Sequence, residues 1–196
     1  MIRPRTGDFL YSQGELKVML ADIVVFKGAG ASGVVFGVLH EDASVDVERT
    51  QTLIDEALPM QVCFHRAFDM TRDIQEAFNH VSKLRGVTRI LTSGHGMSVP
   101  ASLPVLQELL KGAQGTDRPT ILPGAGVNGR TARSVLDVLC PLGLKEIHMS
   151  GGRWFSGTMK HRPTGMGMGA DDHEWQVWRT DEEAVREVRY ILDEVL

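Results

Sequence analysis

His65-Arg66-Ala67-Phe68-Asp69 places a base, a cation and a carboxylate within five residues of a short apolar run, Gln61-Val62-Cys63-Phe64. A histidine at a strand end can act as acid or base, with Asp69 to orient it and Arg66 beside it. The same residues fit a polar strand end that caps the next helix through Asp69 or Thr71. Arg3 and Arg5 stand two apart, so on an extended segment they point the same way. Paired guanidiniums suit a phosphate or carboxylate. A pairing of an arginine with Asp8 that only fixes the loop fits equally well. Ser93-Gly94, Gly124-Ala125-Gly126 and Ser150-Gly151-Gly152 follow three further apolar runs. Small residues there let backbone N–H groups approach an oxyanion, although tight turns need glycine in any case. Cys63 and His65 share one strand face, and with thioethers such as Met149, Met159, Met166 and Met168 they form the soft donor set that suits Cu(I). Against a metal site, a lone cysteine in a strand is ordinarily a small core residue, scattered methionines fill gaps, and no C-x-x-C, H-x-x-x-H or M-x-x-M occurs.

To bring these residues together, the chain needs a parallel sheet. Short β-rich runs at Met1–Pro4, Gly33–Gly37, Gln61–His65, Thr88–Thr92, Thr120–Pro123 and Glu146–Met149 alternate with helix-like segments near 15–30, 46–57, 72–85, 100–113, 130–139 and 181–196. Thr180 and Glu183 form a candidate capping box for the last helix. The result is six βα units, which predicts an α/β fold with helices covering a parallel sheet. An open doubly wound sheet and a (β/α)8-type barrel short of two units both fit, since a full barrel has eight units in about 250 residues. In either fold, ligands bind at the carboxyl ends of the strands. Those ends carry Arg3, Arg5, Asp8 and Tyr11; Gly37, His40, Glu41 and Asp42; His65, Arg66 and Asp69; Thr92, Ser93, Gly94 and His95; Gly124, Gly126 and Asn128; and His148, Ser150, Gly151 and Arg153. The stretch 150–179 reads as one long irregular loop.

The 196 residues carry 21 Lys and Arg against 25 Asp and Glu, a net charge of −4. That opposes a chain-wide basic surface for nucleic acid or anionic membrane, so the local cations point to a small anionic ligand. There are 21 glycines, above the usual share of about 7%, and many fall at these strand ends. Two cysteines make a disulfide scaffold unexpected and fit a cytoplasmic location. No apolar run approaches the roughly 18 residues of a membrane helix. No domain boundary shows, so residues 1–196 read as one domain.

Ile2-Arg3-Pro4-Arg5-Thr6-Gly7-Asp8-Phe9-Leu10-Tyr11-Ser12 resembles a segment of a known family pattern, and Gly33–Leu39, Cys63–Asp69, Arg89–Gly94, Gly124–Val127, His148 with Ser150, and Met159–Arg162 continue it in order. The chain is identified by this resemblance as a member of the CutC family of copper homeostasis proteins. The resemblance implies a (β/α)8 barrel entered at its third strand, and Cu(I) binding or trafficking in the cytoplasm. The cysteines proposed as Cu(I) ligands in animal members have no counterpart here, and Cys63 takes a position that usually holds Thr. Thr6 and Ala125 each replace a glycine of the pattern. An enzyme acting on a small anionic or phosphorylated substrate is the second reading. Two missing strands would leave unpaired edges and apolar interior facing water, which predicts either a homo-oligomer joined through that opening or a chain markedly less stable than a full barrel.

Overall fold

The computed structural model describes residues 1–115, 117–169 and 171–195. Residues 170 and 196, within the expected loop and the expected last helix, lie outside it. Four short strands, β1 (Gly33–Phe36), β2 (Gln61–Phe64), β3 (Val87–Thr92) and β4 (Thr120–Pro123), form a parallel sheet in the order β1-β2-β3-β4. Their Val, Ile, Phe and Cys content suits strands buried on both faces. Phe36, Phe64 and Ile90 are fully buried at the sheet's centre. The crossovers are α1 (Gln13–Gly28), α2 (Val47–Ala57), α3 (Ile74–Lys83), α4 (Leu103–Gly112) and α5 (Gly129–Leu139), with α6 (Glu182–Val195) closing the described chain. Neighbours in sequence are neighbours in the sheet. A doubly wound sheet reverses its order at a switch point; among the four described strands this one does not.

Two expected strands are reduced to single contacts. Met1–Pro4 touches the sheet through the Ile2 N–H, which donates to the Val35 carbonyl at 2.9 Å. Glu146–Met149 touches it through the His148 N–H, 2.9 Å from the Pro123 carbonyl. Both runs have strand composition, but each pairs along one residue. The stretch 150–179 is not wholly irregular. It contains an antiparallel ribbon of β5 (Gly152–Ser156) and β6 (Gln176–Thr180). Trp154 faces Trp178 across it, with ring centroids 5.3 Å apart. Phe155 lies between the guanidinium groups of Arg153 and Arg179.

Side-chain caps set where the helices begin, and so where the strand-end loops stop. Ser12 and Glu15 form a capping box on α1; Asp46, Asp73 and Asn128 cap α2, α3 and α5. Each cap contributes about 1 kcal/mol. The start of α6 differs from expectation. Asp181, not Thr180, accepts from the Ala184 N–H at 3.3 Å, because Thr180 is taken up as the last residue of β6. Several apolar residues of α1 stay in solvent, with Val18, Val24, Val25 and Phe26 between 44% and 66% exposed.

Candidate functional site

The turn after β2 is a short 3-10 helix, Arg66–Met70, capped by His65, whose Nδ1 accepts from the Ala67 N–H at 3.2 Å. That bond needs a lone pair on Nδ1, so the ring's one proton sits on Nε2. Nε2 is buried and has no partner. His65 is 3% exposed. Burial first, and the charge of Arg3 second, push its pKa down to about 4, so it is a neutral N–H donor at pH 7. Gly37 makes room for it: a Cβ there would lie 2.9 Å from Nδ1.

Arg3 and Arg5 part company. Arg5 is bound within its own loop: Nε to Glu15 at 2.5 Å, Nη2 to Asp8 Oδ1 at 2.8 Å and to the Leu10 carbonyl at 2.7 Å, and Nη1 to the Asp8 carbonyl at 3.1 Å. Arg3 makes one such bond, Nη2 to the Gly7 carbonyl at 2.8 Å. Its guanidinium lies 4.7 Å over the Phe9 ring, and Phe9 meets the His65 ring edge-on at 4.8 Å. The Arg3 Nε is buried without a partner. So is the hydroxyl of Tyr11, a residue 2% exposed. Burial raises the Tyr11 pKa, and the charges of Arg3 and Arg5, with a weak Arg3 hydrogen-bonding contribution, oppose that rise, which places both cations beside the Tyr11 side chain, whose oxygen can accept as well as donate. Three buried atoms around Arg3 therefore lack partners: Arg3 Nε, Tyr11 Oη and His65 Nε2. All three carry a hydrogen to donate.

Asp69 belongs to a different cluster. Its side chain is 5% exposed and accepts from Arg66 Nε at 2.7 Å, the Ser93 N–H at 2.9 Å, Ser93 Oγ at 2.9 Å, the His95 N–H at 3.3 Å and the Thr92 hydroxyl. Arg66 Nη2 also donates to Ser93 Oγ at 3.1 Å. This carboxylate ties the turn after β2 to the end of β3. The structure does not bring it to His65, whose Nδ1 is already held by its own turn.

The glycine-rich turns are committed to packing. The Gly94 N–H donates to Thr92 Oγ1 at 2.9 Å, and the Gly124 N–H to the Thr92 carbonyl at 2.9 Å. A Cβ at Gly124 would lie 2.6 Å from Leu91, one at Gly126 2.9 Å from Ser98, and one at Gly151 2.9 Å from Val185. His148 and Ser150 are exposed beyond the sheet's far edge, away from Arg3. Sequence reading placed Tyr11 at a strand end but gave no reason to single it out. The only signal was its position in the segment that carries both arginines.

The soft donors do not gather. Cys63 is 8% exposed inside β2, and burial pushes its thiol up to about 11. It is a thiol at neutral pH, whereas Cu(I) takes the thiolate. His65 Nδ1 is occupied and Nε2 is protonated. Met159, Met166 and Met168 are 58% or more exposed on the segment joining β5 to β6. Among the described residues no three His, Cys, Asp or Glu side chains stand where a metal ion could be held. These donors do not fit a Cu(I) site.

Comparison with known proteins gives consistent matches. A sequence model described as the CutC family matches residues 1–153. A CutC family protein of Enterobacter sp. (strain 638) is 39% identical over 195 residues, spanning 98% of this chain and 76% of that protein. One from Klebsiella pneumoniae (strain 342) is 38% identical over 194 residues, spanning 98% of this chain and 75% of that one. The crystal structure of a protein described as copper homeostasis protein CutC, from Streptococcus agalactiae, superposes with a TM-score of 0.68 at 28% identity, covering 76% of this chain and 70% of the other.

Proposed function

Because the chain belongs to the CutC family, whose members are grouped as copper homeostasis proteins, we propose that its own ligand is a small anion held at the carboxyl end of β1 and β2. One observation carries this: Arg3 Nε and His65 Nε2 are buried N–H donors without a hydrogen-bond partner, and the buried Tyr11 hydroxyl lies beside Arg3. A buried unpaired donor costs about 1–3 kcal/mol, so an acceptor supplied from outside stabilises the site, and the Arg3 charge selects an anionic one. His65 serves as a neutral donor, Arg3 as the charge and Tyr11 as the third hydrogen bond. The arrangement suits binding and polarising an oxyanion, whether a phosphate or a carboxylate.

Titration with inorganic phosphate and acetate, followed by calorimetry, tests the reading. Replacing Arg3 by Gln should weaken binding roughly ten- to a hundredfold, the worth of a charged hydrogen bond of about 1.5–3 kcal/mol. Binding of neither anion, or equal binding by R3Q, overturns it.

Copper handling makes a separate prediction for Cys63. With its thiol held protonated by burial, competition titration against a Cu(I) chelator should give the same weak binding for the wild type and for Cys63→Ala. Tight Cu(I) binding that disappears in C63A would establish the soft site that the donor geometry argues against.

The consecutive strand order, the one-bond neighbours on both sides of the sheet and the 0.68 TM-score to a CutC structure support reading the sheet as part of a (β/α)8-type barrel wall within one domain. The exposed apolar residues of α1 favour self-association. Both cysteines are free, which fits a cytoplasmic protein. No helix among the described residues is long and apolar enough to cross a membrane.

A further inference from the structure

Phe9 has two neighbourhoods. One edge meets His65 and one face lies under Arg3, so the ring lies against both side chains. The residue also lines a cavity of about 460 Å3 with Leu10, Leu39, Ala43 and Met70. That volume falls inside the range of roughly 300–1,000 Å3 typical of small-molecule sites. The loop that carries Phe9 is anchored on both sides. Arg5 holds the Asp8 and Leu10 carbonyls, and the Leu39 N–H donates to the Phe9 carbonyl at 3.0 Å. The backbone is therefore held at these carbonyls, and Phe9 is the residue shared by the Arg3–His65 neighbourhood and the cavity. The polar residues of the cavity, Asp8, His40 and Glu41, come from its two loops. Asp8 is 73% exposed at its side chain, and Glu41 is exposed.

Resting on the anion-binding reading above, we propose that the ligand is an amphipathic monoanion. Its oxyanion head takes the hydrogens of Arg3, Tyr11 and His65, and its apolar tail passes Phe9 into the cavity lined by Leu10, Leu39, Ala43 and Met70. The head is anionic because Arg3 brings a positive charge and His65 a neutral N–H donor to the site. The tail is apolar because the cavity's inner lining is aliphatic and aromatic. A second negative charge at the tail's far end would meet Asp8 and Glu41, so the class is a single-headed acid and not a diacid or a bisphosphate. Tyr11 and His65 are each more than nine-tenths buried, so the Phe9 side chain turns aside as the head enters.

The test is calorimetric titration of the whole chain with inorganic phosphate, acetate, butanoate and hexanoate, repeated on Leu10→Trp, Arg3→Gln and Tyr11→Phe. Leu10→Trp enlarges a residue already 41% exposed at the cavity and keeps the carbonyl that Arg5 holds. The expected result is binding that tightens about fourfold per added methylene. The gain along the series should vanish in L10W. Both R3Q and Y11F should weaken every member of the series. If acetate or phosphate binds in an Arg3-dependent way with no gain along the series, the tail assignment is overturned and the anion site stands. If nothing in the series binds, or if hexanoate binds equally to wild type, R3Q and L10W, both are overturned, the latter result marking nonspecific adsorption. Circular dichroism melts of R3Q, Y11F and L10W separate lost binding from lost folding. Were R3Q to unfold, Y11F and L10W still decide the outcome.

Discussion

Asp69→Ala should lower the unfolding free energy by about 3–5 kcal/mol, the usual cost of removing one partner from a buried charged network. The carboxylate is 5% exposed and takes hydrogen bonds from Arg66, Thr92, Ser93 and His95. Alanine would strand the Ser93 and His95 N–H groups, the Thr92 hydroxyl and the Arg66 charge at once. Each buried donor left unmade costs about 1–3 kcal/mol. The sum is not reached, because Arg66 is 45% exposed and can turn to water. For a chain of this size, about 2–4 °C per kcal/mol translates the loss into a melting temperature lower by very roughly 10 °C. Urea unfolding of wild type and D69A measures it. Asp69→Asn should fall between them, since an amide keeps the shape but turns one NH2 toward donors. A role as orienter of His65 predicts the opposite pattern, with stability near wild type and anion binding lost. A D69A chain within 1 kcal/mol of wild type would remove Asp69 from the structural network.

What the sequence made legible follows from how local each signal is. The strands β1 to β4 were readable because short Val/Ile/Phe runs between turns need only their own composition. The helix ranges near 46–57 and 130–139 were readable from their own pattern, but the cap of α3 was not: Asp69 and Thr71 were the candidates, and Asp73 takes the place because Arg66–Met70 first forms a 3-10 turn. The reduced runs at Met1–Pro4 and Glu146–Met149 were not, since a strand is a pairing and composition does not record whether a partner runs alongside. The β5–β6 ribbon escaped for a related reason. Trp154 and Trp178 lie across from one another only once the intervening residues fold back, and Gly152-Arg153-Trp154-Phe155-Ser156 shows no clean alternation of apolar and polar positions. At the site, the residue types of Arg3, Arg5 and His65 were evident. Which arginine keeps a free donor was not. That depends on Glu15, ten residues away on α1, capturing Arg5, and on Phe9 holding Arg3 against His65.

Mild acid should weaken the fold through His65 by about 3 kcal/mol. Its pKa is about 4 in the folded chain and about 6.5 when unfolded. Above pH 6.5 the imidazole is neutral in both states and contributes no slope. As the pH falls from 6.5 toward 4, the unfolded chain takes up a proton that the buried ring refuses, so the unfolded state gains and stability drops. Below 4 both states are protonated and the loss is complete. The interval of about 2.5 pH units, at about 1.36 kcal/mol per unit, sets the size. Glu15, Glu76 and Glu146 have lowered pKa values, so their contribution disappears only at and below the ordinary carboxylate range near pH 4.3. The window from 6.5 to 4.5 thus belongs to histidine. Unfolding free energies of wild type and His65→Gln, measured across pH 7 to 4.5, should diverge in slope, the wild type falling faster; the other six histidines cancel in the difference. A flat difference would mean that the folded ring takes up its proton freely. Saturating phosphate adds a second check. An anion beside Arg3 and His65 favours the protonated ring, raises its folded pKa and shrinks the gap to 6.5. Phosphate should therefore flatten the wild-type slope and leave that of His65→Gln unchanged, which would tie the acid sensitivity of the fold to the proposed anion site.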